Sequence, residues 1–362
     1  MTTIEPTNPY FDVVPLLGVT PGLSGLRGKR LLLTGGTGFV GSWLLTLIAA
    51  FNDHLPAADR CQVYIPTRDP AAFARKAPQL AAHPAFTFVS GDVRSFPLPP
   101  IPCELIIHAA APADPISLSV NPAAVADIIV AGSQRIIDFA LRGGVERLLF
   151  VSSGAVYGSP NGETMHLSEA FSGGPALDYG RSAYAEAKRY VEVLLAVARE
   201  YHKLPVVIAR PFTFVGPFQD LSSGFAVTDF IRDGLRGEPL IVHNEFAMRS
   251  YAYGADLAAW LLAMLLQGKI GRVYNVGSAE PVSVLTLAQH VAKQLAAFDI
   301  AIDVRLDPLP PTANGQARTA QYFIPDVRRA QTELGLSLHY SLDEALRRTI
   351  AWFQAQLAQA GG

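Results

Sequence analysis

The chain has 362 residues, 50% of them hydrophobic and 17% charged, with a formal net charge of −2. Low charge with abundant apolar residues excludes a disordered chain, and near-neutrality denies nucleic acid a basic field to bind. Two cysteines, Cys61 and Cys103, are too few for a disulfide framework, which points to a reducing compartment and a cytoplasmic protein. No basic start followed by an apolar run opens the chain, so no signal peptide is expected. The longest apolar stretch of the first half, 39–51, is interrupted by Gly41, Ser42 and Thr46 and falls short of the roughly 20 residues a membrane span needs.

Residues 1–28 are rich in Pro, Gly and Thr without sustained periodicity, and read as an extended N-terminal arm. From Lys29 onward, short apolar runs at 30–34, 62–67, 85–90, 104–110, 147–152 and 205–210 alternate with helical segments at 40–50, 121–142 and 183–201. Strands that are apolar almost throughout are buried on both faces, the mark of a parallel sheet with helices on each side. The expected fold is α/β: a Rossmann-type doubly wound parallel sheet over 29–211, with a smaller C-terminal α+β substrate-binding region. Past Pro211 the rhythm breaks. A helix at 225–236, a strand at 273–276 and a helix at 284–297 are expected, then the proline run Pro308 to Pro311 and a last helix at 342–357. Segment 244–277 is expected to return to the dinucleotide-binding domain, leaving 212–243 and 278–362 for substrate.

Directly after the first strand comes Thr34-Gly35-Gly36-Thr37-Gly38-Phe39-Val40-Gly41, opening a helix. Gly35, Gly38 and Gly41 allow a tight turn, close approach to a pyrophosphate and helix–sheet packing, while the helix N-terminus offers N–H groups to the anion; Thr37, Phe39 and Val40 belong to the same cradle. At the end of the second strand an acidic residue would bond a ribose 2′-hydroxyl and an arginine would accommodate a 2′-phosphate. Thr67 stands at the acidic position with Arg68 and Asp69 following, so the expected cofactor is NAD(P), with Arg68 tilting the choice toward NADP. Gly91-Asp92-Val93 ends the third strand, where Asp92 and Val93 would meet the adenine.

Tyr184 and Lys188 stand four residues apart, on one face of a helix. A phenol titrates near 10, too high for a base at neutral pH; a lysine ammonium and a nicotinamide cation beside it favour the phenolate and make Tyr184 a usable acid/base. The fifth strand ends in Ser152-Ser153, which places a serine hydroxyl in the same crevice.

With these motifs in place the chain resembles the extended short-chain dehydrogenase/reductases of the NAD-dependent epimerase/dehydratase family, which act mostly on nucleotide-activated sugars. The resemblance runs from Arg30 to about Leu336. It is carried by the glycine cradle, His108-Ala109-Ala110, the Ser-Ser-x-x-Val-Tyr-Gly stretch from Ser152 to Gly158, Tyr184-x-x-x-Lys188, Ala209-Arg210-Pro211-Phe212, Arg249-Ser250-Tyr251 and Tyr274-Asn275-Val276-Gly277. It implies that Ser153 hydrogen-bonds the reacting oxygen, Tyr184 exchanges its proton, and Lys188 orients the nicotinamide ribose. It places His108, Ala109, Ala110 and Pro211 at the cofactor and Thr213 and Arg249 at the substrate diphosphate. It further implies hydride transfer at sugar C4 and a homodimer formed through paired helices. The stripes Ile128, Ile136, Ile137, Phe139 and Val191, Leu194, Leu195, Ala198 are the candidates for that seam, with sheet packing as the other reading.

Departures from the pattern narrow the reaction. Family dehydratases place Asp-Glu directly after the active-site serine or threonine, and the decarboxylases keep a glutamate; here Gly154 and Ala155 follow Ser153. Dehydration then requires Glu163 or Glu169 to reach in from the next loop. The reactions that need one acid/base remain: 4-epimerisation or reduction of a 4-keto sugar. The alternatives are a 4,6-dehydratase, a carbonyl reductase on a non-nucleotide substrate, and a non-catalytic dinucleotide sensor. Ile129 and Thr213 both stand where the family usually has asparagine, and 243–248 lacks the usual glycines.

Overall fold

A computed structural model describes residues 8–158, 165–307 and 321–360, so Glu163 and Pro308 to Pro311 lie outside the described residues. The first half runs, in chain order, through α1 (Pro9–Val13), β1 (Arg30–Thr34), α2 (Phe39–Asp53), β2 (Gln62–Thr67), α3 (Pro70–Lys76), α4 (Pro78–Ala81) and β3 (Phe86–Ser90). It continues through β4 (Leu105–His108), α5 (Pro115–Val120), α6 (Pro122–Ala140), β5 (Arg147–Val151), α7 (Ala183–His202) and β6 (Val206–Pro211). These strands and Val273–Val276 form one seven-stranded sheet in the order Val273–Val276, β6, β5, β4, β1, β2, β3. Every neighbouring pair is parallel.

Both faces of the sheet are covered, and the alternation of side chains divides the core accordingly. Leu31 and Leu33 of β1 enter one hydrophobic cluster with α2, while Leu32 enters the other with α6 and α7. Past β6 the smaller elements pair separately: Ala252–Tyr253 with Phe214–Val215, Ala247–Arg249 with Val282–Ser283 and Gln321–Phe323, and Val304–Leu306 with Leu240–Val242.

Three sequence expectations change. The helix Gly254–Gln267 was not expected at all. Its residues from Gly254 to Leu265 are all buried, packed on α2, β5 and β6, so the segment carries no polar face to reveal a helical period. Trp43 of α2 fills the space left by Gly254 and Gly216, donates to the Pro217 carbonyl at 3.1 Å and meets the Tyr253 ring edge-on at 5.0 Å. Emptying such a site typically costs about 3–5 kcal/mol.

The second change concerns the N-terminal segment. Its described residues are not extended: α1 and two short 3₁₀ turns, Val14–Leu16 and Leu23–Leu26, bury Val13, Leu16, Leu23 and Leu26 in the main core. The carboxylate of Asp12 is buried there, accepting from Tyr253 Oη at 2.5 Å and from Arg348 of the last helix, while Tyr340 Oη donates to the Asp12 carbonyl at 2.6 Å. Third, the stripes proposed for a dimer seam belong largely to the core. Ile136, Ile137, Phe139, Val191, Leu195 and Ala198 are buried between α6, α7 and the sheet, with Leu194 packed against them.

Candidate active site

The carboxyl ends of parallel strands all open toward one side, so loops remote in sequence converge there. Here the loops after β1 to β6 line one cleft of about 2000 Å³. Gly35, Thr37, Gly38, Phe39 and Val40 line it after β1, Thr67 and Arg68 at the end of β2, Asp92 and Val93 after β3, and Ala109 and Ala110 after β4. Ser153 follows β5, Tyr184 and Lys188 come from α7, and Pro211, Thr213 and Arg249 line the same cleft. Two of the expected cofactor residues sit behind the wall. Gly41 is packed on the glycine turn, and the His108 ring is fully buried, with Nδ1 2.6 Å from Thr34 Oγ1 and Nε2 2.9 Å from Ser133 Oγ. Burial, with the Lys188 charge adding to it, pushes His108 down to about 3 and keeps it neutral.

The three glycines of the cradle do different work. Gly35 has φ +73° and lies against the Ala109 and Ala110 backbone, so it brings the β1 turn onto the β4 loop. At Gly41 a Cβ would lie 2.2 Å from the Gly35 carbonyl oxygen, so this glycine sets how closely α2 approaches the turn. At Gly38 the nearest protein atom to a Cβ would be 3.5 Å away, so protein packing does not require glycine there. What its missing side chain leaves open is the cleft at the N-terminus of a 15-residue helix whose N-cap carries no side-chain hydrogen bond. That geometry suits an anionic dinucleotide pyrophosphate.

At the catalytic end α7 crosses the tips of β5 and β6. Lys188 is buried and donates from Nζ to the Val151 carbonyl at 2.7 Å, with its ammonium 4.7 Å above the Phe150 ring. Burial pushes Lys188 down to about 7, against the pull of Glu192. Burial also raises the Tyr184 phenol, while a hydrogen-bonding interaction with Ser153 acts in the opposite direction. Ser153 Oγ accepts from Ala155 N at 3.1 Å, which fixes the serine at the start of its 3₁₀ turn.

A second tie was not anticipated. Glu192, one helical turn beyond Lys188, accepts from Ser152 Oγ at 2.5 Å and from Arg210 Nε and Nη2 at 3.0 and 2.5 Å. Arg210 in turn lies 4.8 Å over the Tyr157 ring. The signal was present as a glutamate at i+4 from Lys188, but its partners come from two strands and are visible only in the folded chain. Glu169 is committed elsewhere: it accepts from Asn275 N at 2.9 Å and pairs with Arg329 at 3.6 Å. Ile129 is buried in the α6 core, and Arg249 is bonded to the Met248 and Gln321 carbonyls at 2.9 and 3.1 Å, above the Phe323 ring.

The cradle geometry generates a paired test. Gly41→Ala should lower the melting temperature and abolish dinucleotide binding, because only backbone stands in the way of the new methyl group. Gly38→Ala should melt like the wild type yet weaken dinucleotide affinity by roughly tenfold or more, read by titration; wild-type affinity would show that the ligand does not occupy this turn. Known proteins agree with the dinucleotide reading. The model of the NAD dependent epimerase/dehydratase family matches residues 31–277. UDP-glucuronic acid decarboxylase 3 of Arabidopsis thaliana is 29% identical over 319 residues, 88% of this chain and 86% of the relative. The fold is shared with UDP-glucose 4-epimerase of Thermotoga maritima, solved with UDP-glucose (TM-score 0.73, 23% identity, covering 91% of this chain and 99% of that one). It is shared equally with a dTDP-glucose 4,6-dehydratase of Streptomyces venezuelae solved with NAD bound (TM-score 0.73, 23% identity, 91% and 98%). With the family model spanning more than half of its length, the chain belongs to the NAD-dependent epimerase/dehydratase family.

Proposed function

We propose that the protein transfers hydride at C4 of a nucleotide-diphosphate sugar, with Tyr184 as the acid/base, and that the outcome is epimerisation or reduction of a 4-keto sugar. The observation that carries this reading is the composition of the cleft wall. Among the described residues that line it there is no histidine, glutamate or cysteine. Its four carboxylates are engaged in local structure: Asp69 accepts from Ala72 N, Asp92 pairs with Arg94, Asp114 accepts from Ser117 N, and Asp220 accepts from Ser222 N and Oγ. Removal of a C5 proton with expulsion of a leaving hydroxyl needs a second acid/base pair, and neither Gly154, Ala155 nor the committed Glu169 supplies one.

Each chain residue then has a defined task. Ser153 holds the reacting C4 oxygen in hydrogen-bonding range of the Tyr184 phenol. Tyr184 takes that oxygen's proton during oxidation and returns it during reduction. Lys188, fixed by Val151, turns its remaining N–H donors toward the ribose side and favours the phenolate electrostatically. Thr213 and Arg249 hold the diphosphate. When bound, the dinucleotide supplies the hydride acceptor and donor.

The adenosine end supports NADP. Thr67 Oγ1 is 3.0 Å from Thr37 Oγ1, Asp69 is the N-cap of α3, and Lys76 Nζ donates to the Phe218 carbonyl at 2.8 Å. Arg68 is exposed on the same wall and makes no hydrogen bond or ion pair with the described residues, which supports its guanidinium as the partner of a 2′-phosphate. For assembly, the outer face of α7 presents Tyr190, Val193, Val197 and Tyr201, between 44% and 76% exposed, and this face supports a homodimer in place of the buried stripes. Light scattering at micromolar concentration should give twice the chain mass, falling to the single mass in Val193→Asp; a wild-type monomer rejects this seam.

The reaction is tested by incubating the enzyme with UDP-, dTDP- and GDP-sugars and their 4-keto forms, with NAD or NADP, and identifying products by mass spectrometry and NMR. A C4 epimer or a 4-hydroxy product is expected, with reduction drawing on NADPH in preference to NADH. A 4-keto-6-deoxy product would overturn the reading, and equal use of NADH would remove the role given to Arg68.

A further inference from the structure

The residue that follows Ser153 is kept small by a neighbouring ring and not by its own backbone. Gly154 opens the 3₁₀ turn Gly154–Tyr157 outside the left-handed region, so its dihedral angles accept any residue. A Cβ built there would lie 2.9 Å from Cδ2 and Cε2 of the Phe212 ring, closer than real Cβ atoms approach another atom. Phe212 lines the cleft, whereas Gly154 is buried. The ring is packed on both sides: it lies 4.7 Å from the Phe323 ring and 6.0 Å from the Tyr157 ring. Its backbone N–H donates to the Val276 carbonyl at 3.0 Å, and Tyr157 Oη is held by Asn275 Oδ1 at 2.7 Å. Phe212 therefore has no free space into which it could swing to make room for a side chain at 154.

An acid placed directly after Ser153 has two starting points, positions 154 and 155. Ala155 lines the cleft, so the position that is shut is 154. Elimination across C5 and C6 needs one group to remove the C5 proton and another to protonate the leaving hydroxyl, and with 154 shut this turn cannot supply both. Resting on the nucleotide-sugar reading, we propose that Phe212 is a specificity-determining residue: its ring stands between position 154 and the cleft, so that packing, and not only the lack of a carboxylate, confines the reaction to hydride transfer with a single acid/base. Gly154 and Phe212 then act as a pair. A side chain at 154 overpacks the site unless the ring is removed, and removing the ring uncovers 154 to the cleft. Residues in direct contact of this kind do not respond independently to substitution.

The test is a thiol at position 154, read against a low background because Cys61 and Cys103 are both buried. Gly154→Cys, Phe212→Ala and the double variant are melted and then treated with a maleimide. Gly154→Cys should melt several degrees below the wild type, with its new thiol unreactive. In the Phe212→Ala background the same cysteine should cost much less in melting temperature and react at least about tenfold faster, and UDP-glucose or dTDP-glucose with the dinucleotide should slow that reaction. Gly154→Cys melting like the wild type overturns the inference, and so does labelling at the same rate with and without the ring. If Gly154→Cys does not fold, Gly154→Ala takes its place and the melting temperatures decide: a penalty that Phe212→Ala leaves undiminished overturns the inference. Labelling that Phe212→Ala accelerates but neither nucleotide sugar slows supports the shielding of position 154 and rejects the nucleotide-sugar reading on which its role in the reaction rests.

Discussion

The site depends on one buried contact, the Lys188 ammonium held 2.7 Å from the Val151 carbonyl at the tip of β5. An isolated ammonium in a protein interior is costly, and burial here lowers its proton affinity to the neutral range. It is sustained by the strand-end carbonyl, by the face of Phe150 and by the nearby Glu192 carboxylate. Because Lys188 cannot leave this pocket without losing those partners, α7 is fixed across the strand end. Tyr184, one turn earlier, is thereby aimed at Ser153. Glu192, one turn later, reinforces the same alignment through Ser152 and Arg210, so three turns of one helix and the tips of two strands behave as a unit.

The rest of the cleft follows from sheet order. Between β4 and β1 the winding of the chain reverses, and there the Gly35 turn lies against the Ala109–Ala110 backbone. The crevice so formed opens onto the N-terminus of α2 and suits a pyrophosphate; the tips of β5 and β6 carry Ser153 and the α7 contacts to which the proton chemistry is assigned in the proposed reaction. On a wall whose carboxylates serve as caps and turn partners, Arg68 and Arg181 make no hydrogen bond or ion pair with the described residues, and Arg68 acts on the Asp92 carboxylate through its charge alone. The electrostatics of the cleft are therefore those of a receptor for a ligand with several separate negative groups. This agrees with the near-zero net charge of the chain, since a few placed cations do what a broad basic surface would do elsewhere.

Much of this was legible in the sequence, for reasons that can be named. The strands Arg30–Thr34 and Gln62–Thr67 stand where they were expected, because short apolar runs bounded by turns leave few other options. The placement of the cradle and of Tyr184 and Lys188 on one cleft was legible because it follows from local spacing. The helix Gly254–Gln267 was not, because a segment buried on all sides loses its amphipathic period. The folded N-terminal segment was missed because its anchors, Val13, Leu16, Leu23 and Leu26, are separated by Pro and Gly and held by distant partners such as Tyr253 and Arg348. On α7 the sequence pattern picked out the stripe that packs on the sheet; the exposed face of Tyr190, Val193, Val197 and Tyr201 is apolar as well, and pattern alone does not separate the two. The clamp on Glu192 is a tertiary fact, decided by which neighbours arrive.

The central claim is that a single acid/base, Tyr184, carries the proton chemistry of hydride transfer. It is tested most directly by Tyr184→Phe, comparing turnover with dinucleotide affinity in the same preparation. The phenol oxygen is lost while Lys188, Ser153 and the cradle stay in place, so turnover should fall by roughly 10²- to 10⁴-fold with dinucleotide affinity within a few-fold of the wild type. Turnover close to the wild-type value would contradict the account, because the proton would then be moved by a group other than Tyr184.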